Sequence, residues 1–325
     1  MRSDPLVAVE AAATFTAAVT ALTGGPLGDA PFAVAVSGGP DSLALLLLAH
    51  AAFGHRVRAL TVDHRLRPDS AAEATDVAAY AARLGVPHAT LAWDGPHPAT
   101  NRQAAARAAR YRLMADWCAA NGVRWLASAH HRDDAAETLL LRLARGSGSS
   151  GLAGIRARRD LGGVTLLRPL LGWSKADLAA VVAAAGWRAA DDPSNRDAAF
   201  DRTRARALLA ATPWLDPARL AASAAHLADA EAALAWVADR AWASRAEVAG
   251  DAVRLDAGDL PHDLSRRLLL RGIATLAPDA TPRGPTVERL LARLAEGRGG
   301  TLAGIAVRVS PPSWRLSRAA PRRKP

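Results

Sequence analysis

From Phe32 onward, short apolar runs alternate with longer stretches whose apolar positions recur at helical spacing, a pattern that predicts a parallel sheet covered by helices. The predicted strands are Phe32 to Val36, Val57 to Val62, His88 to Trp93 and Arg124 to Ser128. Helices are predicted from Ser42 to Phe53, Ser70 to Leu84, Asn101 to Ala120 and Asp133 to Ala144. The expected fold is therefore α/β, a doubly wound parallel sheet, in which ligands collect beyond the carboxyl ends of the strands. The cluster Arg145-Gly146-Ser147-Gly148-Ser149-Ser150-Gly151 cannot continue a regular element and reads either as a connector or as a loop at the edge of a site. A short strand from Val164 to Leu167, a helix from Ser174 to Ala185 and a polar turn, Asp191 to Asn195, follow.

Beyond Trp214 the pattern changes. Ala218 to Ala246 is a long alanine-rich helical stretch, Leu264 to Leu276 and Thr286 to Leu294 read as helices, and Thr301 to Val309 as a small β piece. The expected division is residues 1–214, an N-terminal helix plus the α/β core, and residues 215–325, a smaller, mostly helical unit with a basic tail through Arg315, Arg318, Arg322, Arg323 and Lys324. At roughly 150 residues per domain, 325 residues suit two such units.

Charge sharpens this picture. Against 31 acidic side chains stand 41 basic ones, a balance of +10 that favours a polyanionic partner such as RNA. Lys175 and Lys324 are the only lysines, so arginine, which grips phosphate through two parallel N–H bonds, carries nearly all of it. Cys118 is the single cysteine, which excludes an internal disulfide framework and a cysteine metal cluster within one chain, and its helical setting suits a buried, inert thiol. Asp4 and Glu10 are unlike a signal peptide, and the most apolar stretch, Leu43 to Phe53, is far short of the ~20 residues a membrane span needs. A cytoplasmic protein with no membrane partner is expected. The nine tryptophans, scattered among aliphatic residues, read as core.

Candidate chemistry gathers where strands end. Ser37-Gly38-Gly39-Pro40-Asp41-Ser42 follows the first strand and opens a helix; the glycines allow a tight turn, Pro40 suits a helix start, and the helix N-terminus favours an anion. The Gly-Lys-Ser/Thr of a Walker loop is missing. Asp63, at the end of the second strand, either holds Mg²⁺ or a nucleotide hydroxyl or caps the next turn. Arg107 and Arg110 share a helix face suited to phosphate. Asp133, Asp134 and Glu137 lie within one helical turn, able to converge on a metal or an amine, although Asp134-x-x-Glu137 is also a helix-start pattern. Carboxylate oxygens without thiols favour Mg²⁺ over zinc. Arg202 and Arg206 share a helix face suited to tracking an RNA backbone.

Ser37 to Ser42 resembles the signature loop of the PP-loop ATP pyrophosphatases, whose fold is adenine-nucleotide alpha-hydrolase-like and which split ATP between its α and β phosphates. Asp63-His64-Arg65-Leu66-Arg67, Arg107 to Tyr111, His130 to Thr138, Arg145 to Gly148, Arg168-Pro169-Leu170-Leu171 and Asp192 to Asn195 occur after it in that order. Together they are similar to the tRNA(Ile)-lysidine synthetase family, over roughly Val34 to Arg206. The resemblance implies ATP at Ser37, Gly38, Gly39, Pro40, Asp41 and Ser42, with Mg²⁺ on Asp41. It implies catalytic or substrate-binding roles for Asp63, His64, Arg107, Arg110, Tyr111, His131, Asp133, Asp134, Glu137 and Thr138, and loop or tRNA contacts for Arg145, Gly146, Arg168, Asp192, Asn195, Arg202 and Arg206. Its implied reaction adenylates the wobble cytidine of tRNA(Ile) with a CAU anticodon and then couples L-lysine to carbon 2 of that base. His131 is one candidate proton acceptor, and Asp134 or Glu137 a candidate for the lysine ammonium. Ala135 and Thr203 stand where that pattern usually has glutamine and asparagine. The rivals are a PP-loop tRNA thiolase, which a single helical cysteine disfavours, and a catalytically silent tRNA-binding homologue.

Overall fold

The computed structural model describes residues 5–65, 70–95, 102–189 and 201–319. Two compact units, Met1–Ala228 and Asp229–Pro325, make up the chain.

The first unit opens with α1 (Pro5–Thr23) and continues as β1 (Phe32–Ala35), α2 (Pro40–Phe53), β2 (Val57–Asp63), α3 (Ser70–Arg83), β3 (His88–Ala92), α4 (Arg102–Ala120), β4 (Trp125–Ala127) and α5 (Arg132–Ala144). After these come α6 (Ser149–Leu152), β5 (Arg158–Asp160), β6 (Thr165–Leu167), α7 (Lys175–Ala184), α8 (Asp201–Ala211) and the long α9 (Pro217–Arg245), within which the division between units falls. The sheet order is β3-β2-β1-β4-β6-β5, parallel throughout except for β5, which runs antiparallel to β6. Every strand expected from the apolar runs is present, each within a residue or so of its expected limits. Strand alternation divides β1: Phe32 and Val34 pack with α1, α2 and α7, whereas Ala33 joins Tyr111, Met114 and Cys118 of α4 on the opposite face. Cys118 is buried there, its thiol pushed up to about 12 by burial.

Parallel pairing sets the carboxyl ends of β1 and β4 side by side, and the order of strands reverses there, with β2 and β3 added on one side of β1 and β4 on the other. The crevice at that switch point is where such sheets bind ligands, and the phosphate loop and the start of α5 both open into it.

The second unit holds more β-structure than expected. After α9 come β7 (Ala246–Ala249), β8 (Ala252–Asp256), α10 (His262–Leu276), α11 (Gly284–Ala295), β9 (Gly300–Leu302), β10 (Ile305–Ser310) and β11 (Ser313–Arg318). The strands form an antiparallel sheet in the order β7-β8-β11-β10-β9. Val253, Leu255, Val307, Trp314 and Leu316 face α10 and α11 in one core. Arg315 and Arg318, read above as part of a tail, belong to β11: Arg315 alternates with Trp314 and Leu316, which enter that core, and Arg318 ends the strand with a hydrogen bond to the Leu276 carbonyl (3.1 Å); Arg322, Arg323 and Lys324 lie outside the described residues. Not every tryptophan is core: Trp93, Trp125, Trp187 and Trp314 are buried, but Trp214 and Trp236 stand in solvent.

Candidate active site

The loop between β1 and α2 is shaped by its own backbone. Gly38 takes φ +86°, a region costly for any side chain, and Pro40 occupies the first turn of α2, where its missing N–H is no loss. Ser42 Oγ donates to the Gly39 carbonyl (2.9 Å) and accepts from the Ser37 backbone N–H (3.1 Å). Its hydroxyl therefore fixes the turn. Below the loop, Thr61 Oγ1 donates to the Val36 carbonyl (2.9 Å), so its single proton is used and it accepts from His88 Nε2 (2.9 Å).

Asp41, in the first turn of α2, has one carboxylate oxygen, Oδ1, buried without a hydrogen-bond partner, while Oδ2 lies 3.5 Å from His131 Nε2. A buried, unsatisfied carboxylate oxygen beside an anion-favouring helix terminus fits a cation shared with phosphates, the usual manner of Mg²⁺. Among the described residues no group of three His, Cys, Asp or Glu side chains has the geometry to hold a metal alone.

The facing wall is α4. Arg110 points both Nε (3.1 Å) and Nη2 (3.0 Å) at His64 Nε2, which must accept, and the His64 ring meets Trp93 edge to face at 6.1 Å. Arg107 sits over the Tyr111 ring at 5.2 Å and reaches His130 Nε2 at 3.3 Å. Because a guanidinium only donates, His130 Nε2 accepts, and Nδ1 carries the proton that it gives to Ser128 Oγ at 3.0 Å. Burial, then Arg168, Arg107, Arg202 and His131, push the His130 pKa down to about 3, so the ring is neutral. Arg168 is buried against the Tyr111 hydroxyl and the Arg156 carbonyl. Burial lowers the pKa of Arg110 and Arg168, and the hydrogen-bond partners named for them are all neutral. Among the described residues no ion pair joins either of them to a carboxylate.

At the start of α5 the sequence cluster becomes three separate devices. His131 is the N-cap, buried, with its backbone N–H donating to Asp134 Oδ2 (3.2 Å) and its ring 3.5 Å from Asp133 Oδ2 and 3.7 Å from Asp134 Oδ2. Burial depresses its pKa, but the hydrogen bond to Asp41 and the charges of Asp134, Asp41 and Asp133 outweigh this and raise it overall. Asp133 turns away to accept the Lys175 backbone N–H (2.9 Å) at the start of α7. Glu137, only 2% exposed, is gripped by Arg206 of α8 through Nε (2.9 Å) and Nη2 (3.5 Å). Asp134 stays at the pocket, 3.9 Å from Arg202 Nη1.

The resulting cavity, about 520 Å³, is lined by the loop residues Ser37, Gly39, Pro40, Asp41 and Ser42, and by His64, Arg107, Arg110, Tyr111, His131, Asp134, Arg202 and Arg206. Asp63 caps the following turn, accepting the Arg65 N–H at 2.9 Å, the second of its two expected roles. Thr138 Oγ1 is buried without a hydrogen-bond partner, Arg145 pairs with Asp201 (2.5 Å), and Gly146 turns the chain with φ +63°. Gly38, Asp63, Asp133, Glu137, Thr138, Arg145, Gly146 and Arg168 are not lining residues. Asp192 and Asn195 lie outside the described residues. Ala135 is buried on α5 and Thr203 half-buried on α8. The cavity also contains Glu73, Ser128 and Lys175, which motif spacing had not singled out, and His130, which opens one of the motifs without a role of its own. Lys175 carried a compositional signal: it is one of two lysines in a chain that otherwise uses arginine.

Comparison with known proteins agrees with this geometry. Residues 11–212 match the family model described as a PP-loop domain. The chain is 40% identical to a tRNA(Ile)-lysidine synthase of Zymomonas mobilis subsp. mobilis, covering 95% of this chain and 94% of that protein. It is 45% identical to those of Novosphingobium aromaticivorans (88% of each chain) and Methylobacterium nodulans (92% of this chain, 93% of that one). Among solved structures, a U34-tRNA thiolase of Methanococcus maripaludis with its [4Fe-4S] cluster superposes with a TM-score of 0.53 at 14% identity, covering 62% of this chain and 72% of that one, a likeness of fold alone.

Proposed function

The chain belongs to the tRNA(Ile)-lysidine synthase family, and from that premise we propose that it joins L-lysine to carbon 2 of the wobble cytidine of tRNA(Ile) bearing a CAU anticodon, with ATP cleaved to AMP and pyrophosphate. The observation that carries the proposal is one cavity that joins a phosphate loop and arginines with neutral partners to a carboxylate, Asp134, across the ring of His131, which lies near both Asp41 and Asp134.

In the first step the cytidine carbonyl oxygen attacks the α-phosphorus and the bond to the β-phosphate oxygen breaks. The loop and the α2 N-terminus hold the phosphates in line. Arg110, partly buried, and Arg107, exposed at the cavity wall, meet the charge that develops. Mg²⁺ held with Asp41 would neutralise the departing pyrophosphate. In the second step the neutral lysine amine bonds to carbon 2, the carbon–oxygen bond breaks, AMP leaves with its electron pair, and one N–H proton is passed on.

Asp134 is the carboxylate suited to the lysine ammonium, since Glu137 already has Arg206. His131 is a poor proton acceptor: surrounded by three carboxylates, it holds its proton. His130 offers an unprotonated Nε2, but burial and the neighbouring arginines hold its pKa at about 3, which makes it a weak base, so neither histidine is assigned the proton. A thiolase needs sulfur chemistry that one buried cysteine does not supply. The reaction places the protein in the cytoplasm with its tRNA, and among the described residues no helix is long and apolar enough to cross a membrane.

The two-step order is tested by omitting lysine. With ATP and unmodified tRNA alone, pyrophosphate is released and AMP stays on the RNA; adding lysine then releases AMP. Release of AMP into solution without lysine, or no pyrophosphate until lysine arrives, counts against the order proposed.

A further inference from the structure

The second unit's sheet has one face against α10 and α11 and the other in solvent, so its outward residues can be read from the register. Arg308 of β10 lies directly opposite Arg315 of β11, and Arg315 lies directly opposite Arg254 of β8. All three are exposed, while their inward neighbours Val307, Leu316 and Val253 are buried. Three arginines thus stand in one row across three adjacent strands, spanning about 10 Å at Cα, given antiparallel spacings of ~4.5–5.5 Å.

Like charges placed directly opposite are unfavourable in a sheet, so the row calls for a compensating anion. No carboxylate of the sheet pairs opposite Arg308 or Arg315, and the one opposite Arg254 stands at the far edge of the row. Among the described residues, Arg245, Arg266, Arg267, Arg271 and Arg298 each pair with an acidic side chain, but no ion pair joins a carboxylate to Arg254, Arg308 or Arg315. Glu247 of β7 is opposite Arg254 and closes the row at that edge. Asp256, the other acid on this face, is taken by Arg245.

The residues around the row are small. Ala306, Ser317 and Ala252 flank it on one side, Ser310 and Ser313 on the other. Such a floor offers no apolar side chain to enter a bilayer or fill a protein pocket, but it lets a bulky phosphate backbone approach while the guanidinium forks grip it. We propose that Arg254, Arg308 and Arg315 form a docking row for the sugar–phosphate backbone of the substrate tRNA, contributing to affinity and leaving the chemical step untouched. The proposal rests on the tRNA reading above for its partner.

The test replaces all three arginines by glutamine (R254Q, R308Q, R315Q) and measures binding of an isoleucine tRNA transcript over a range of salt, without ATP or lysine. The expected result is affinity at least tenfold weaker near 0.1 M salt and a slope of log K against log salt shallower by about 2, since each phosphate contact contributes roughly 0.7–0.9. In turnover, KM for tRNA rises at least tenfold and kcat stays within twofold. The three lysine replacements keep the salt slope. Thermal unfolding guards against a folding defect, and R308Q alone, at the end of the row, still lowers the slope by about 0.7. Unchanged affinity and slope overturn the proposal, as does a loss confined to phosphatidylglycerol vesicles, which would make the row a membrane contact. If the wild type makes no lysidine yet the triple variant loses tRNA affinity, the functional reading falls and the docking row stands.

Discussion

Removing either member of the Glu137–Arg206 pair deletes the same two hydrogen bonds, yet the two deletions are expected to differ in cost. Glu137 is 2% exposed, whereas the Arg206 side chain is 39% exposed. In Glu137→Ala the guanidinium left behind rehydrates, so the loss is limited to the net worth of a charged hydrogen bond, about 1.5 kcal/mol after allowance for its exposure. In Arg206→Ala a carboxylate is stranded where water scarcely reaches, and the cost rises to about 3–4 kcal/mol. Urea unfolding at pH 7 of the two variants and of the double variant measures both costs and their coupling. Acidification is expected to narrow the Arg206→Ala deficit, because the stranded carboxyl takes up a proton that the unfolded chain does not bind at the same pH. Equal costs for the two single variants, or an Arg206→Ala deficit indifferent to pH, would refute the view that α8 is pinned to α5 through a desolvated acid. The consequence reaches the site, since α8 carries Arg202 and Arg206 to the cavity wall.

Other expectations follow from single residues. Gly38→Ala forces a side chain to φ +86°, which costs about 1–2 kcal/mol and is expected to raise KM for ATP more than KM for lysine, as steady-state kinetics will tell. His130 is neutral in the fold down to about pH 3, whereas the unfolded chain protonates it near 6.5. Its stabilising contribution is therefore complete above 6.5 and is lost on acidification by at most ~1.4 kcal/mol per pH unit, a slope that His130→Asn should remove from a pH series of denaturant titrations. Arg107→Gln takes a cation from His130 and should raise its pKa, visible as a shifted imidazole titration by NMR; an unchanged titration would mean that Arg107 does not hold the ring neutral.

Much of the first unit was legible because its strands are short apolar runs, and because Ser37 to Ser42 follows β1, one of the two strands at whose ends the crevice opens. What spacing along the chain could not show is which distant residue answers a charge. Asp133 and Glu137 share a helical turn with Asp134 and looked equally able to receive an amine, but the Lys175 N–H and Arg206, which occupy them, come from α7 and α8. His130 likewise acquires its role from Arg107, on another helix. In the second unit, arginines alternating with Val253, Leu255, Trp314 and Leu316 over a few residues mark strands, yet the first run is so short that it receives no element and Arg315 reads as part of a basic tail.

The most direct test of the whole account is incorporation of labelled lysine into an unmodified isoleucine tRNA transcript with a CAU anticodon, measured with and without ATP and repeated with Asp41→Ala. The account predicts lysine on the wobble cytidine only when ATP is present, one AMP and one pyrophosphate for each lysine joined, and no product from Asp41→Ala. Lysine joined without ATP, or tRNA bound and ATP present with no lysine transferred, would contradict it.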